Sequence, residues 1–258
     1  MKKHIYTLFS VLIALVAVSC EKTSEGVTQV VSFFQMYGAS SIYLGVGDEF
    51  VDPGYQELDG GGQVVTVITN MYGDEVEAVS TEEPGFFTIT YSTINEQGLY
   101  FEKSRKVYIY DATVTETLGV FTVDGQASLY YNNEKTYSDN AASYAASGRT
   151  TNDSPTITFT QVVGNIYSVS DLLGGWYTWI QGRGPLYEET YGISFFDMTG
   201  YVTLNADMTL SLMSSKIAAW GDGLDSIENA VYNPDTKRLV YDWSYAGQVF
   251  GHVEMVQN

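Results

Sequence analysis

From Val27 onward, turn residues cut the chain into runs too short for helices, and this punctuation restricts the fold more than any other feature. Val64-Val65-Thr66-Val67-Ile68-Thr69, Phe86 to Tyr91, Val107 to Tyr110, Leu118 to Val123 and Thr156 to Val163 are rich in β-branched and aromatic residues and tend to alternate. Side chains that alternate with period two suit a strand with one face buried. Before and between the first of these runs stand Gly47-Asp48, Asp52-Pro53-Gly54, Asp59 to Gly62, Gly73-Asp74 and Gln97-Gly98. Gly reaches positive φ there, and Asp or Asn bonds its own backbone. Asn205-Ala206-Asp207 and Tyr245-Ala246-Gly247 each separate two alternating runs and predict hairpins. No helical period longer than one or two turns stands out. One helical turn is expected over Tyr167 to Leu173, capped by Ser168 or Ser170 and ended by Gly174-Gly175. Ser138 to Ser154 carries little core material and is expected to be a surface loop or a binding rim. The fold class is therefore all-β, with a first antiparallel β-sandwich over 27–111 and a second antiparallel β-domain over 112–258.

The first twenty residues read as an address. Lys2 and Lys3 precede the apolar run Leu8 to Val18, which stops before Glu21 and is too short to span a bilayer. Cys20, the only cysteine, directly follows the small residues Ala17-Val18-Ser19. This arrangement resembles a bacterial lipoprotein signal in which Ala17 to Cys20 is the lipobox, although the usual residue at the place of Ala17 is Leu. The resemblance implies a signal peptide at 1–19, lipidation of Cys20 and a lipidated tether at 20–26, with acyl chains holding the protein on a membrane. Removal of 1–19 leaves 10 Lys and Arg against 31 Asp and Glu, so the charge moves from -19 to -21. Such a chain repels phosphate backbones, and nucleic acid is not an expected partner. An exported protein with one cysteine forms no internal disulfide, so its 14% of aromatic residues have structural work available in the core.

Two further segments resemble known families. Ile42-Tyr43-Leu44, Gly47-Asp48-Glu49-Phe50-Val51-Asp52-Pro53-Gly54-Tyr55, Pro84 to Tyr91 and Arg105 to Ile109 are similar to the immunoglobulin-like domain of unknown function found in Bacteroidetes surface lipoproteins. Its Asp-x-x-Gly-Asn turn is replaced here by Asn95-Glu96-Gln97-Gly98-Leu99. Tyr167 to Tyr177 and the turn Trp220-Gly221-Asp222 resemble the β-domain of unknown function that accompanies it. The second domain is expected to be a sandwich or a lipocalin-like, partly closed barrel. The resemblance places the chain on the outer membrane at the cell surface.

Candidate chemistry is sparse. After signal removal the only histidine is His252, which disfavours Ser-His catalysis and zinc, and no cofactor or metal is expected. Asp222, Asp225 and Glu228, or Glu188 and Glu189, are conceivable acid pairs for glycoside hydrolysis. Their abundance makes them weak evidence, and the chain is not expected to be an enzyme. The stronger cluster runs from Gly174 to Tyr187, with Trp176, Tyr177, Trp179, Gln181, Arg183 and Tyr187, and Trp220 stands in the Gly-flanked turn with Asp222. Flat rings suit the C–H faces of sugars, while Arg and Asp bond hydroxyls. Trp176 and Tyr177, read as strand residues, should face opposite sides, with Trp176 in the core. The candidate glycan platform is Trp179, Trp220, Tyr177, Tyr187, Arg183 and Asp222. The expected partners are the membrane, an oligo- or polysaccharide and an outer-membrane transporter complex, as in a polysaccharide-utilisation system. The alternative is a structural or adaptor lipoprotein that contacts another envelope protein.

Overall fold

The computed structural model describes residues 33–58 and 62–258. The expected signal peptide (1–19), Cys20, its tether (20–26) and residues 27–32 lie outside the described residues, as do residues 59–61 of the expected turn Asp59 to Gly62.

Among the described residues the first domain has seven strands: β1 (Phe34–Met36), β2 (Ser41–Gly45), β3 (Tyr55–Glu57), β4 (Val65–Asn70), β5 (Glu75–Val76), β6 (Gly85–Ile94) and β7 (Tyr100–Tyr110). The main sheet runs β2-β7-β6-β4-β5, and β1 pairs with β3 in a second, two-stranded sheet. All pairs are antiparallel except β2 with β7, so the expectation of a wholly antiparallel sandwich is corrected at that edge. Phe33, Phe34, Ile89, Tyr91, Val107 and Ile109 form the core. Phe34 meets Tyr55, Tyr91 and Phe101 edge to face, geometry that such ring pairs favour. Aromatic packing thus supplies much of this core. The Asp-Pro-Gly element has a second job beyond turning the chain. Asp52 accepts from Arg105 at 2.9 Å and from the Tyr91 hydroxyl at 2.6 Å. Arg105 is fully buried and also donates to the carbonyl of Tyr37. A buried guanidinium needs such partners because an unpaired charge there is costly.

The second domain comprises β8 (Val120–Val123), β9 (Leu129–Tyr130), β10 (Lys135–Thr136), α1 (Tyr137–Ala146), β11 (Thr156–Val163), β12 (Ile166–Val169), α2 (Arg183–Tyr191), β13 (Met198–Leu204), β14 (Leu210–Ile217), β15 (Ser226–Asn233), β16 (Arg238–Tyr245) and β17 (Gln248–Gln257). Its strands make one ten-stranded antiparallel sheet, in which β8-β11-β12-β13-β14 continues on one side of β17 and β16-β15 on the other. The sheet curls until β14 and β15 approach, where a single bridge joins Thr209 to Val231. The result is a partly closed barrel. The expected hairpins are present as β13–β14 and β16–β17.

The barrel interior is filled by side chains. Trp176, Trp243, Tyr137 and Tyr241 are all buried, and the Tyr137 and Tyr241 hydroxyls donate to the carbonyls of Leu173 and Leu172. Trp243 Nε1 donates to the Tyr137 hydroxyl at 3.2 Å, so the polar edge of the indole is satisfied.

Three local expectations are corrected. Ser138 to Ser154 is not a structureless connection, because α1 occupies its first half. Thr136 caps α1 by accepting from Asp139 N, the four alanines favour helix, and Tyr137, Ser138, Asn140 and Ala141 are buried. Small and polar residues on the buried face hide the helical period that larger side chains would display. The helical turn expected over Tyr167 to Leu173 is instead β12 followed by a turn. Helix begins after Gly174-Gly175, as a π-helical turn over Trp176–Ile180. Trp176 and Tyr177 therefore do not alternate on a strand, although Trp176 is in the core.

The two domains meet through Phe86 and Tyr108 of the first and Ile166 and Met213 of the second, with Tyr201 edge-on to Phe86 at 5.3 Å. Asn165, buried at this junction, accepts from Asp111 N at 2.8 Å.

Candidate functional site

The site is assembled by three short elements that leave one end of the barrel. Gly175 adopts φ +79 and starts the π-helical turn, and Gly182 adopts φ +63 between that turn and α2. A Cβ on Gly182 would lie 2.5 Å from the carbonyl oxygen of Thr150, so glycine is required there for both conformation and space. After α2 a 3-10 turn over Ile193–Phe196 returns the chain to β13. The loop after β14 is pinned to that turn, since Ala219 N donates to Phe195 O at 3.1 Å, and it is closed on itself by Gly221 N donating to Ile217 O at 2.8 Å.

These elements place Arg183 among three rings. Its guanidinium carbon lies 5.1 Å from the centroid of Tyr177, 5.7 Å from Trp220 and 5.8 Å from Phe196. Cation–π attraction favours this packing. Tyr177 and Trp220 meet edge to face at 5.0 Å, and Phe196 joins Trp220 at 6.0 Å and Tyr187 at 5.7 Å. Tyr187 continues to Tyr191, which stacks on Phe195 at 4.5 Å. Trp220 is 46% exposed, and Leu186, Tyr187 and Tyr191 are also exposed, so the rings form a surface platform.

Asp222 stands at the rim, where it accepts from the Tyr245 hydroxyl at 2.6 Å. Burial and this bond push the Tyr245 phenol up to about 12, and burial also raises Tyr177 and Tyr130. All three therefore keep their protons at neutral pH and can donate them in hydrogen bonds. Beneath the platform Tyr130 stacks on Trp176 at 3.9 Å. Two carboxyl groups, the buried Asp171 and the part-buried Asp197, stiffen the same end. Asp171 accepts from the amides of Leu173, Gly175 and Met198, and Asp197 accepts from the Thr178 hydroxyl.

Of the six residues expected to form the platform, Tyr177, Arg183, Trp220 and Tyr187 come together, with Asp222 beside them. Trp179 lies outside the cluster: it is half-buried, packs against Gly175 and pairs with no other ring among the described residues. Gln181 is buried and engages the arginines. Its side-chain oxygen accepts from Arg183 Nε at 2.6 Å, and its carbonyl accepts from Arg149 Nη1 at 2.9 Å. Sequence reasoning missed Phe196, the ring shared by Trp220 and Tyr187, and Arg149, which approaches from the end of α1. Neither residue is marked by its local sequence as part of this cluster. Of the conceivable acids Asp222, Asp225 and Glu228, the first accepts from the Tyr245 hydroxyl, the second from Gly247 N and the third from the Ser226 hydroxyl. His252 lies between Asp242 and Glu254 on the sheet.

Residues 34–109 match the family model of the bacterial surface protein Ig-like domain, and residues 137–257 match a second family model described as a C-terminal domain. Among solved structures, the lipoprotein BT2262 from Bacteroides thetaiotaomicron is 28% identical, over 87% of this chain and 98% of that one, with a TM-score of 0.42. No curated protein matches the chain.

Proposed function

We propose that this chain, with its bacterial surface Ig-like domain, is a lipid-anchored envelope protein that binds a glycan on the Tyr177–Trp220 platform. The observation that carries the reading is the exposed, pinned Trp220 packed against Tyr177 and Arg183 beside Asp222. Exposed rings give sugar C–H faces a flat seat at low entropic cost, and the surrounding Tyr, Arg and Asp groups meet hydroxyls. The filled barrel interior supports an outside site, since Trp176 and Trp243 occupy the space a lipocalin-like ligand would take. An anchor through Cys20 fits the sequence, and no helix among the described residues is long and apolar enough to cross a membrane. The Ig-like domain then acts as a spacer that lifts the platform from the lipid.

Affinity electrophoresis against a panel of polysaccharides tests the reading. The expected result is retardation on at least one glycan, lost in Trp220→Ala and largely kept in Trp179→Ala. Absence of retardation on every glycan overturns it.

A further inference from the structure

We infer that the platform selects acidic glycans, with Arg183 receiving the carboxylate or sulfate of a charged sugar. This deepens the glycan reading and rests on it. The chain has four arginines in a background of 31 Asp and Glu. Arg105 is paired with Asp52, and Arg238 with Asp124 and Glu254. Arg149 and Arg183 differ, because among the described residues no carboxylate oxygen lies within 4.0 Å of either. Lys103, Lys106, Lys135 and Lys216 also lack a carboxylate partner among the described residues, but the two arginines differ from them in sharing one support.

That support is Gln181. It holds Arg183 through Nε alone, and no protein acceptor among the described residues engages the two terminal nitrogens. Those two nitrogens form the planar fork that grips a carboxylate or sulfate bidentately. Arg149 is bound through one terminal nitrogen and lies over the Tyr144 ring at 5.1 Å. Asp222, the acidic member of the platform, is occupied by Tyr245 and leaves Arg183 unpaired. The first turn of α2, which begins at Arg183, carries no acid, so the helix end adds positive potential. The rings around Arg183 exclude water from one side of the guanidinium, which strengthens a pair formed on the other.

The measurement is titration of the mature protein with polygalacturonate (carboxylate only), dextran sulfate (sulfate only), neutral dextran and xylan, and poly-glutamate as an acidic peptide. Arg183→Gln, Arg183→Lys and Arg149→Gln are compared with the parent, and their melting midpoints report folding. The expected result is binding of one acidic glycan in preference to the neutral ones, even though the protein's own charge opposes it. Arg183→Gln should weaken that binding about tenfold or more, Arg183→Lys should not restore it, and Arg149→Gln should weaken it less. If Arg183→Gln fails to fold, loss of acidic binding in a folded Arg149→Gln carries the test. Preference for a neutral glycan, with no effect of either arginine, overturns the acidic inference and leaves the platform standing. Binding of poly-glutamate alone, or of nothing, overturns the platform as well.

Discussion

At the scale of the residue, Gln181 decides how the site presents its charge, because it orients two guanidinium groups without neutralising them. A second residue-level feature lies below it. Burial pushes Asp171 up to about 8, the charge of Asp197 adds to this, and three backbone amides oppose it; burial also raises Asp197. The native state therefore binds more protons than the unfolded chain from the ordinary carboxylate range up to about pH 8. Stability from this pair is fully present at the acidic end and declines as pH rises through the folded value. Exposed carboxylates finish titrating by about pH 6, so the interval from pH 6 to 8 isolates the Asp171–Asp197 pair from them. Asp197→Asn keeps an acceptor for Thr178 but removes the neighbouring charge. Its melting midpoint should fall less between pH 6 and 8 than that of the parent; parallel curves would refute the assignment. Tyr177, Arg183 and Trp220 were legible from their residue types and Gly-rich setting. Arg149 and Phe196 were not, because they reach the site from segments separated in sequence, and only tertiary packing joins them.

At the scale of the element, strands were easier to read than helices. β11 occupies the alternating run Thr156–Val163, and both hairpin turns sit where Asn, Asp and Gly mark them. Helix α1 escaped because Ser, Asn and Ala line its buried side, and the π-helical turn escaped because two left-handed glycines reset the chain just before it. The same dependence on glycine makes Gly182→Ala informative. The added Cβ meets the Thr150 carbonyl at a left-handed position, at an expected cost of about 1–3 kcal/mol. Urea unfolding should show that loss, and glycan binding should weaken because α2 and Arg183 are displaced. An unchanged midpoint would mean that the junction between the π-helical turn and α2 is not rigid.

At the scale of the whole molecule, one sheet of the second domain curls around an aromatic interior, which supports the proposal of an outside site at the end where α2, the 3-10 turn and the Trp220 loop converge. The second domain could be recognised as β from turns and alternation, but its closure by a single bridge from Thr209, just before β14, to Val231 of β15 could not. That contact depends on how far the whole sheet curls, which no local segment encodes. The four tryptophans make the central claim directly measurable. Trp176 and Trp243 are each 1% exposed, Trp179 is half-buried, and Trp220 is the one open to solvent. Acrylamide quenching of the fluorescence, with and without a saturating glycan retained from the panel, reports whether that ring is covered. The account predicts that the glycan lowers the quenching constant and that Trp220→Phe abolishes this dependence. A ligand-dependent change that survives Trp220→Phe, or the absence of any change in the parent protein, would contradict it.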